Sequence, residues 1–242
     1  EEDDCEIISL EPDTWQGCYN IIGASLRNPT TPSSCKAPAI IKKEMIIVTG
    51  GAGFIGSNFL HYLRKVSDEE VVVLDNLTYA ATEDYIPSEH KFIWCDITNE
   101  DHVNYIFSKY RPTKVFHFAA ESHVDRSIES PKVFLNSNII GTFNVIKLSK
   151  KFGVKHLIIG SSSSVYGANK KTPFQEIDKT DHQVSFYAAT KKSTESLAHS
   201  YSSLWKLPIT VLRFFTVYGP WGRPDMAYFK FTKKIFEGKK ID

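Results

Sequence analysis

Gly50-Gly51-Ala52-Gly53-Phe54-Ile55-Gly56 follows the apolar run Met45-Ile46-Ile47-Val48-Thr49 and leads into a stretch with apolar residues at helical spacing, Ile55, Phe59, Leu60 and Leu63. A strand that turns through glycines into a helix lets a pyrophosphate lie on the helix N-terminus. There the backbone N–H groups and the helix dipole favour negative charge. The cofactor-binding candidates in this turn are Gly50, Gly53, Phe54, Ile55 and Gly56. About twenty residues on, the apolar run Val71-Val72-Val73-Leu74 ends in Asp75-Asn76. An acidic group at that place can accept the ribose hydroxyls of NAD. Glycine turns are common, and one that served only helix–sheet packing would leave Asp75 without a role.

The same alternation continues along the chain. Strands are predicted at 45–49, 71–75, 91–95, 114–118, 155–161 and 208–214, and helices at 55–66, 99–109, 131–152, 186–205 and 226–237. Ser130 is placed to cap the third helix, with Pro131 at its first position and Gly153 just past its end. Short apolar strands alternating with amphipathic helices imply an α/β fold, a Rossmann-type doubly wound parallel sheet with helices on both faces. Ligands of such a sheet bind beyond the carboxyl ends of its strands. Those ends carry the glycine turn, Asp75, Asp96-Ile97 for an adenine, the small pair Ala119-Ala120, the serine run Ser161-Ser162-Ser163-Ser164 and Phe214-Phe215-Thr216.

Composition narrows the function. The chain has 242 residues, 42% hydrophobic and 24% charged, with a net charge of +1 and no concentrated basic stripe, so nothing points to nucleic acid or an anionic membrane. No apolar stretch approaches the ~20 residues of a membrane span. None of the histidines or the four cysteines (Cys5, Cys18, Cys35, Cys95) has metal-ligand spacing, so no metal is expected, and reduced thiols in a cytoplasmic protein are the expectation. Residue 1 is not methionine, whereas Met45 stands where an independent domain of this kind would begin. Residues 1–44 are therefore expected to be an extension, mostly irregular, with a short ordered piece near Trp15 to Ile22. Residues 45–242 are expected to form an NAD-binding domain whose last helix is followed by Ile241-Asp242, where a further strand is expected.

Tyr187-Ala-Ala-Thr-Lys191 sets a phenol and an ammonium on one face of a helix. A nearby cation, together with the positive nicotinamide of NAD, favours phenolate, so Tyr187 can take a proton from a sugar hydroxyl. By itself such a string is as easily a surface pair; behind a serine-ended strand and a glycine turn it gains weight. At these residues the chain resembles the extended short-chain dehydrogenase/reductase family, the NAD-dependent nucleotide-sugar epimerases and dehydratases. The motifs are Gly50–Gly56, Asp96-Ile97, Ser161–Gly167, Tyr187 with Lys191, and Arg213–Pro224. The resemblance implies that Tyr187 is the catalytic base, that Lys191 anchors the nicotinamide ribose and tunes Tyr187, and that Ser162 bonds the reacting sugar oxygen. It also implies that Asn138 supports the active-site helix. A homodimer through the helices near 131–152 and 186–205 is a family expectation, and so is a C-terminal substrate segment that would be largely missing here.

Two branches of the family are represented. His117–Ser127 and Asn76–Ala80 look like dTDP-glucose 4,6-dehydratases, whereas the stretch from Ser161, with Tyr187–Lys192 and Leu212–Met226, looks like UDP-glucuronate 4-epimerases. Dehydration across C5–C6 needs a base and an acid, which the dehydratases supply as an Asp-Glu pair where this chain has Ser163 and Ser164. Serines suit hydrogen bonds to a substrate carboxylate, with Thr216 and Arg223 as further substrate candidates. The expected function is therefore a UDP-glucuronate/UDP-galacturonate 4-epimerase. The alternatives are the dehydratase, with Glu121 or Asp125 as the missing acid, and a truncated non-catalytic NAD-binding protein. Glu121, His123, Asp125 and Arg126 either line the site or form a solvated loop, and Arg223 could be a surface charge.

Overall fold

The computed structural model describes residues 5–10 and 44–241. Among them seven strands form one parallel sheet: β1 (Cys5–Leu10), β2 (Met45–Thr49), β3 (Glu70–Asp75), β4 (Lys91–Trp94), β5 (Lys114–His117), β6 (His156–Ser162) and β7 (Ile209–Phe214). Their spatial order is β1-β7-β6-β5-β2-β3-β4. The chain thus leaves β2 toward one side through β3 and β4, then starts again beside β2 with β5 and proceeds to the other side. The crevice between the ends of β2 and β5 is the switch point at which such sheets bind ligands.

Strand alternation divides the core into two layers. Ile46, Val48, Val71, Val73, Phe116 and Ile158 pack with Phe59, Leu60 and Leu63 of α1 (Phe54–Val66). Their sequence neighbours Ile47, Val72, Leu74, Val115, Leu157 and Ile159 face the opposite layer, with Val103, Ile106 and Phe107 of α2 (Glu100–Tyr110). Strands covered on both faces read as continuous apolar runs for this reason.

The expected elements from Met45 onward are present, with ends moved by a residue or so. Three points differ. Residues 124–129 form a short helix, α3 (Val124–Glu129), absent from the sequence reading. The predicted helix 131–152 is α4 (Pro131–Phe134), a π-wound segment Leu135–Gly141, and α5 (Thr142–Phe152). Ser130 makes no side-chain capping bond: it closes α3 by donating its N–H to the Arg126 carbonyl, and its ψ of 58° departs from the extended backbone of an N-cap. Gly153 does end the run, at φ +67°. The third difference is β1, which pairs with β7 from Cys5↔Ile209 to Leu10↔Phe214 inside the segment expected to be mostly irregular. The ordered piece expected near Trp15 to Ile22 lies outside the described residues. Helices α6 (Phe186–Trp205) and α7 (Ala227–Phe236) complete the described elements.

Candidate active site

The glycine turn is fixed by backbone contacts that leave no room for side chains. Gly50 sits at φ +71°, and a Cβ there would meet the Ala119 nitrogen at 2.4 Å; one at Gly56 would meet the Gly50 carbonyl oxygen at 2.2 Å. Only glycine serves at either position. Gly53 begins α1 with no side chain to cap it, so the first-turn N–H groups are left for a ligand. Asp75 braces the turn: its carboxylate accepts from the Ala52 N–H at 3.0 Å and the Leu77 N–H at 2.8 Å. Burial pushes this carboxyl above its usual range, against those backbone donors. Asp96 accepts from the Thr98 N–H at 2.9 Å, and Asn144 holds the same loop through the carbonyls of Ile97 and Thr98. Asn144 was not singled out by sequence, since its partners lie 47 and 46 residues away.

The chemistry-bearing half is assembled by side chains. Asn138, turned inward by the π-wound segment, accepts from the Glu121 N–H at 2.8 Å and donates to the Glu121 carbonyl at 2.9 Å and the Thr190 hydroxyl at 3.0 Å. It thereby ties the loop after β5 to α6, the support expected of it. Lys191, buried on α6, donates from Nζ to the Gly160 carbonyl at 2.8 Å. Burial lowers its ammonium to about 8, opposed by the charge of Glu195. Tyr187 is 7% exposed. Burial works against the expected phenolate. Burial pushes the phenol above its usual range, and the opposing influences are a hydrogen bond with Ser162 and the charge of Arg223, not Lys191, whose ammonium is engaged by a carbonyl.

Two buried groups were overlooked. His117 lies between the hydroxyls of Thr49 (2.6 Å) and Thr142 (2.9 Å), and burial first, then Lys191, lowers its imidazole to about 3. Glu195 meets Arg213 in a doubly bonded ion pair, both contacts 2.9 Å. Neither had a sequence signal beyond a lone polar residue in an apolar setting.

One cavity of about 800 Å³ lies between the glycine turn and α6, with Asn138, Asn144, His117 and Glu195 behind its walls rather than in them. Its walls include Gly50, Gly53, Phe54, Ile55, Gly56, Asp75, Asn76, Asp96, Ile97, Ala119 and Ala120, the candidates for the cofactor. They also include Ser162, Ser163, Ser164, Tyr187, Lys191, Thr216 and Arg223. Glu121, His123 and Asp125 line it as well, while Arg126 instead covers the Tyr79 ring, 3.8 Å from its centroid. Arg223 is no loose surface charge: its Nε lies 3.2 Å from Asp225, which also meets His123 at 3.2 Å, and Nη1 donates to Ser122. Among the described residues no cluster of His, Cys, Asp or Glu suits a metal, and no helix is long and apolar enough to cross a membrane.

A switch-point crevice with a glycine cradle on one side and a buried serine–tyrosine–lysine group on the other defines a dinucleotide-binding domain. Residues 46–242 match the model of the NAD dependent epimerase/dehydratase family, and the chain belongs to that family. It is 46% identical over 205 residues to Protein CapI of Staphylococcus aureus, covering 81% of this chain and 61% of that protein. It is 41% identical to a probable UDP-glucuronate 4-epimerase of Rhizobium meliloti, covering 81% and 60%. Its fold matches the crystal structure of UDP-glucose 4-epimerase from Thermotoga maritima with UDP-glucose at a TM-score of 0.76 and 35% identity, covering 81% of this chain and 64% of that one. The chain therefore spans about three fifths of the length of these curated relatives. The cradle fits the family's cofactor, because the space a Cβ would fill at Gly50 and Gly56 is already occupied by backbone, while Gly53 stays open toward the cavity.

Proposed function

We propose that the protein is an NAD-dependent nucleotide-sugar 4-epimerase acting on UDP-glucuronate and UDP-galacturonate. The observation that carries this reading is the turn Ser163–Tyr166 beyond Ser162, which presents hydroxyls to the cavity where an elimination would need carboxyl groups. In this reading Gly50, Gly53, Phe54, Ile55, Gly56, Asp75, Asn76, Asp96, Ile97, Ala119 and Ala120 hold NAD. Bound there, NAD would supply a hydride acceptor, and then a hydride donor, for C4 of the sugar. Tyr187, hydrogen-bonded with Ser162 and ionised against its burial by the positive charge of a bound nicotinamide, would receive the proton of the C4 hydroxyl as a phenolate and give it back, with Ser162 holding the same oxygen. Lys191 keeps two ammonium protons beyond the one given to Gly160, enough for the ribose hydroxyls of the cofactor. Ser163, Ser164, Thr216 and Arg223 face the uronate carboxylate. Arg223 must then share its guanidinium between the substrate and Asp225.

A second reading, dTDP-glucose 4,6-dehydratase, is favoured by one observation. Glu121 lines the cavity, and burial pushes its carboxyl up, against Arg126 and Arg223, toward the protonated form an acid catalyst needs. Product analysis by NMR separates the two. With NAD and UDP-glucuronate the expected product is UDP-galacturonate; a 4-keto-6-deoxy sugar from dTDP-glucose would instead establish the dehydratase. Tyr187→Phe is expected to lower turnover by about 10²- to 10⁴-fold while NAD affinity changes little. NAD binding with no turnover of either sugar nucleotide would leave the non-catalytic reading. The same proposal includes a homodimer through exposed apolar residues Ile128, Val133, Leu135, Ile140, Leu204 and Trp205, and a cytoplasmic setting in which the buried Cys95 thiol stays reduced.

A further inference from the structure

Every segment that places Ser162, Tyr187 and Lys191 is tied to one buried ion pair. Glu195 follows Lys191 by one turn of α6, and Arg213 lies in β7; both side chains are 2% exposed. Glu195 Oε1 accepts from Arg213 Nε at 2.9 Å and from the Ser161 hydroxyl at 2.7 Å, and Oε2 accepts from Arg213 Nη2 at 2.9 Å. The guanidinium then stacks 4.8 Å from the Tyr166 ring centroid, at the end of the serine turn, and donates to the Glu176 carbonyl at 3.2 Å. Strand, turn, loop and catalytic helix thus meet at the two charges.

Stability alone does not explain this arrangement. Removing two charges from water costs about as much as their attraction returns, and apolar side chains of similar volume commonly serve a fold equally well. Apolar side chains, however, supply neither directional bonds to the residues flanking Ser162 nor a negative charge one helical turn from Lys191. We propose that Glu195, braced by Arg213, is a positioning residue that sets Ser162 against Tyr187 and supplies the counter-charge facing Lys191. The proposal rests on the reading of Tyr187 and Lys191 as working residues and holds for either sugar nucleotide.

The charged and titratable groups around Lys191 are few. Glu195 is the one that favours its ammonium, against burial, and the Lys191 charge in turn bears on nearby His117 of β5. His117 is neutral over the working range, since its imidazole is lowered to about 3. Arg213 and Lys192 both neighbour Glu195 and add positive charge. Without the Glu195 carboxylate the ammonium falls further below its ordinary range, so Lys191 loses its proton at lower pH.

Three variants test this by melting temperature, NAD affinity against pH, and turnover. Glu195→Gln leaves Arg213 buried without its partner and should lower the melting temperature. The paired replacement Glu195→Met with Arg213→Met removes both charges and should restore it. If Glu195 positions the site, the paired variant melts like the parent, yet turnover falls by roughly 10²-fold. The alkaline limit of its NAD binding also moves down by about one pH unit. A paired variant with parental turnover and an unmoved alkaline limit would overturn the proposal. Tyr187→Phe tests the premise separately: parental turnover there would refute the role of Tyr187, whereas the alkaline limit of NAD binding still reports on Glu195.

Discussion

The two sides of the switch point hold their ligand-facing groups by different means. Beyond β2 and β3 the cradle is backbone against backbone, with Gly50 on Ala119, Gly56 on Gly50, and Asp75 clamped by two N–H groups. Beyond β5 and β6 the groups are placed by side chains that reach across the fold, Asn138 to Thr190, Lys191 to Gly160 and Glu195 to Ser161 and Arg213. Backbone close approach tolerates nothing added and offers nothing to tune. A side-chain scaffold can be altered in steps, and its charges set the protonation of the groups it holds.

The contrast can be broken at its rigid side first. Gly56→Ala puts a methyl group 2.2 Å from a carbonyl oxygen, so NAD binding should be abolished and about 3 kcal/mol of stability lost, measured by NAD titration and thermal melting. The other side should respond to pH. His117 is held at about 3, below the ~6.5 of an unfolded chain, so the unfolded state takes up the proton first. The stability this group contributes is complete above pH ~6.5 and is lost as pH falls toward 3, at about 1.4 kcal/mol per unit. Urea midpoints should drop between pH 6.5 and 5, and less steeply for His117→Gln. Asn138→Ala, which strands the Glu121 N–H and Thr190, should cost about 2 kcal/mol and lower turnover while leaving NAD affinity near the parent value. Gly153→Ala is the small control: its site at φ +67° has open space around it, so only backbone strain of about 1 kcal/mol is expected, with activity unchanged.

What could be read from the sequence follows the same division. The glycine turn, Asp75 and the apolar strands are written in neighbouring residues, so periodicity and spacing find them. Tyr187 and Lys191 were legible because a helix brings residues four apart together. The Glu195–Arg213 pair and His117 were not, because their meaning depends on partners 18 and 68 residues away that only the folded sheet supplies. For a related reason spacing showed the cation beside Tyr187 but not the burial that pushes its phenol up. Ser130 misled because Pro131 and a preceding short helix compete for the same residue. Strand β1 carried too little local pattern to be read as a strand, and its register partner begins at Ile209.

That strand has a practical consequence. Cys5–Leu10 lies before residues 46–242, the part that matches the family, yet it covers the open side of β7. A polypeptide begun at Met45, the boundary the sequence invites, would bare the amide and carbonyl row of Ile209–Phe214. An uncovered parallel edge is a template for another molecule of the same kind. Removing residues before Met45 would then give a shorter polypeptide prone to associate along that edge.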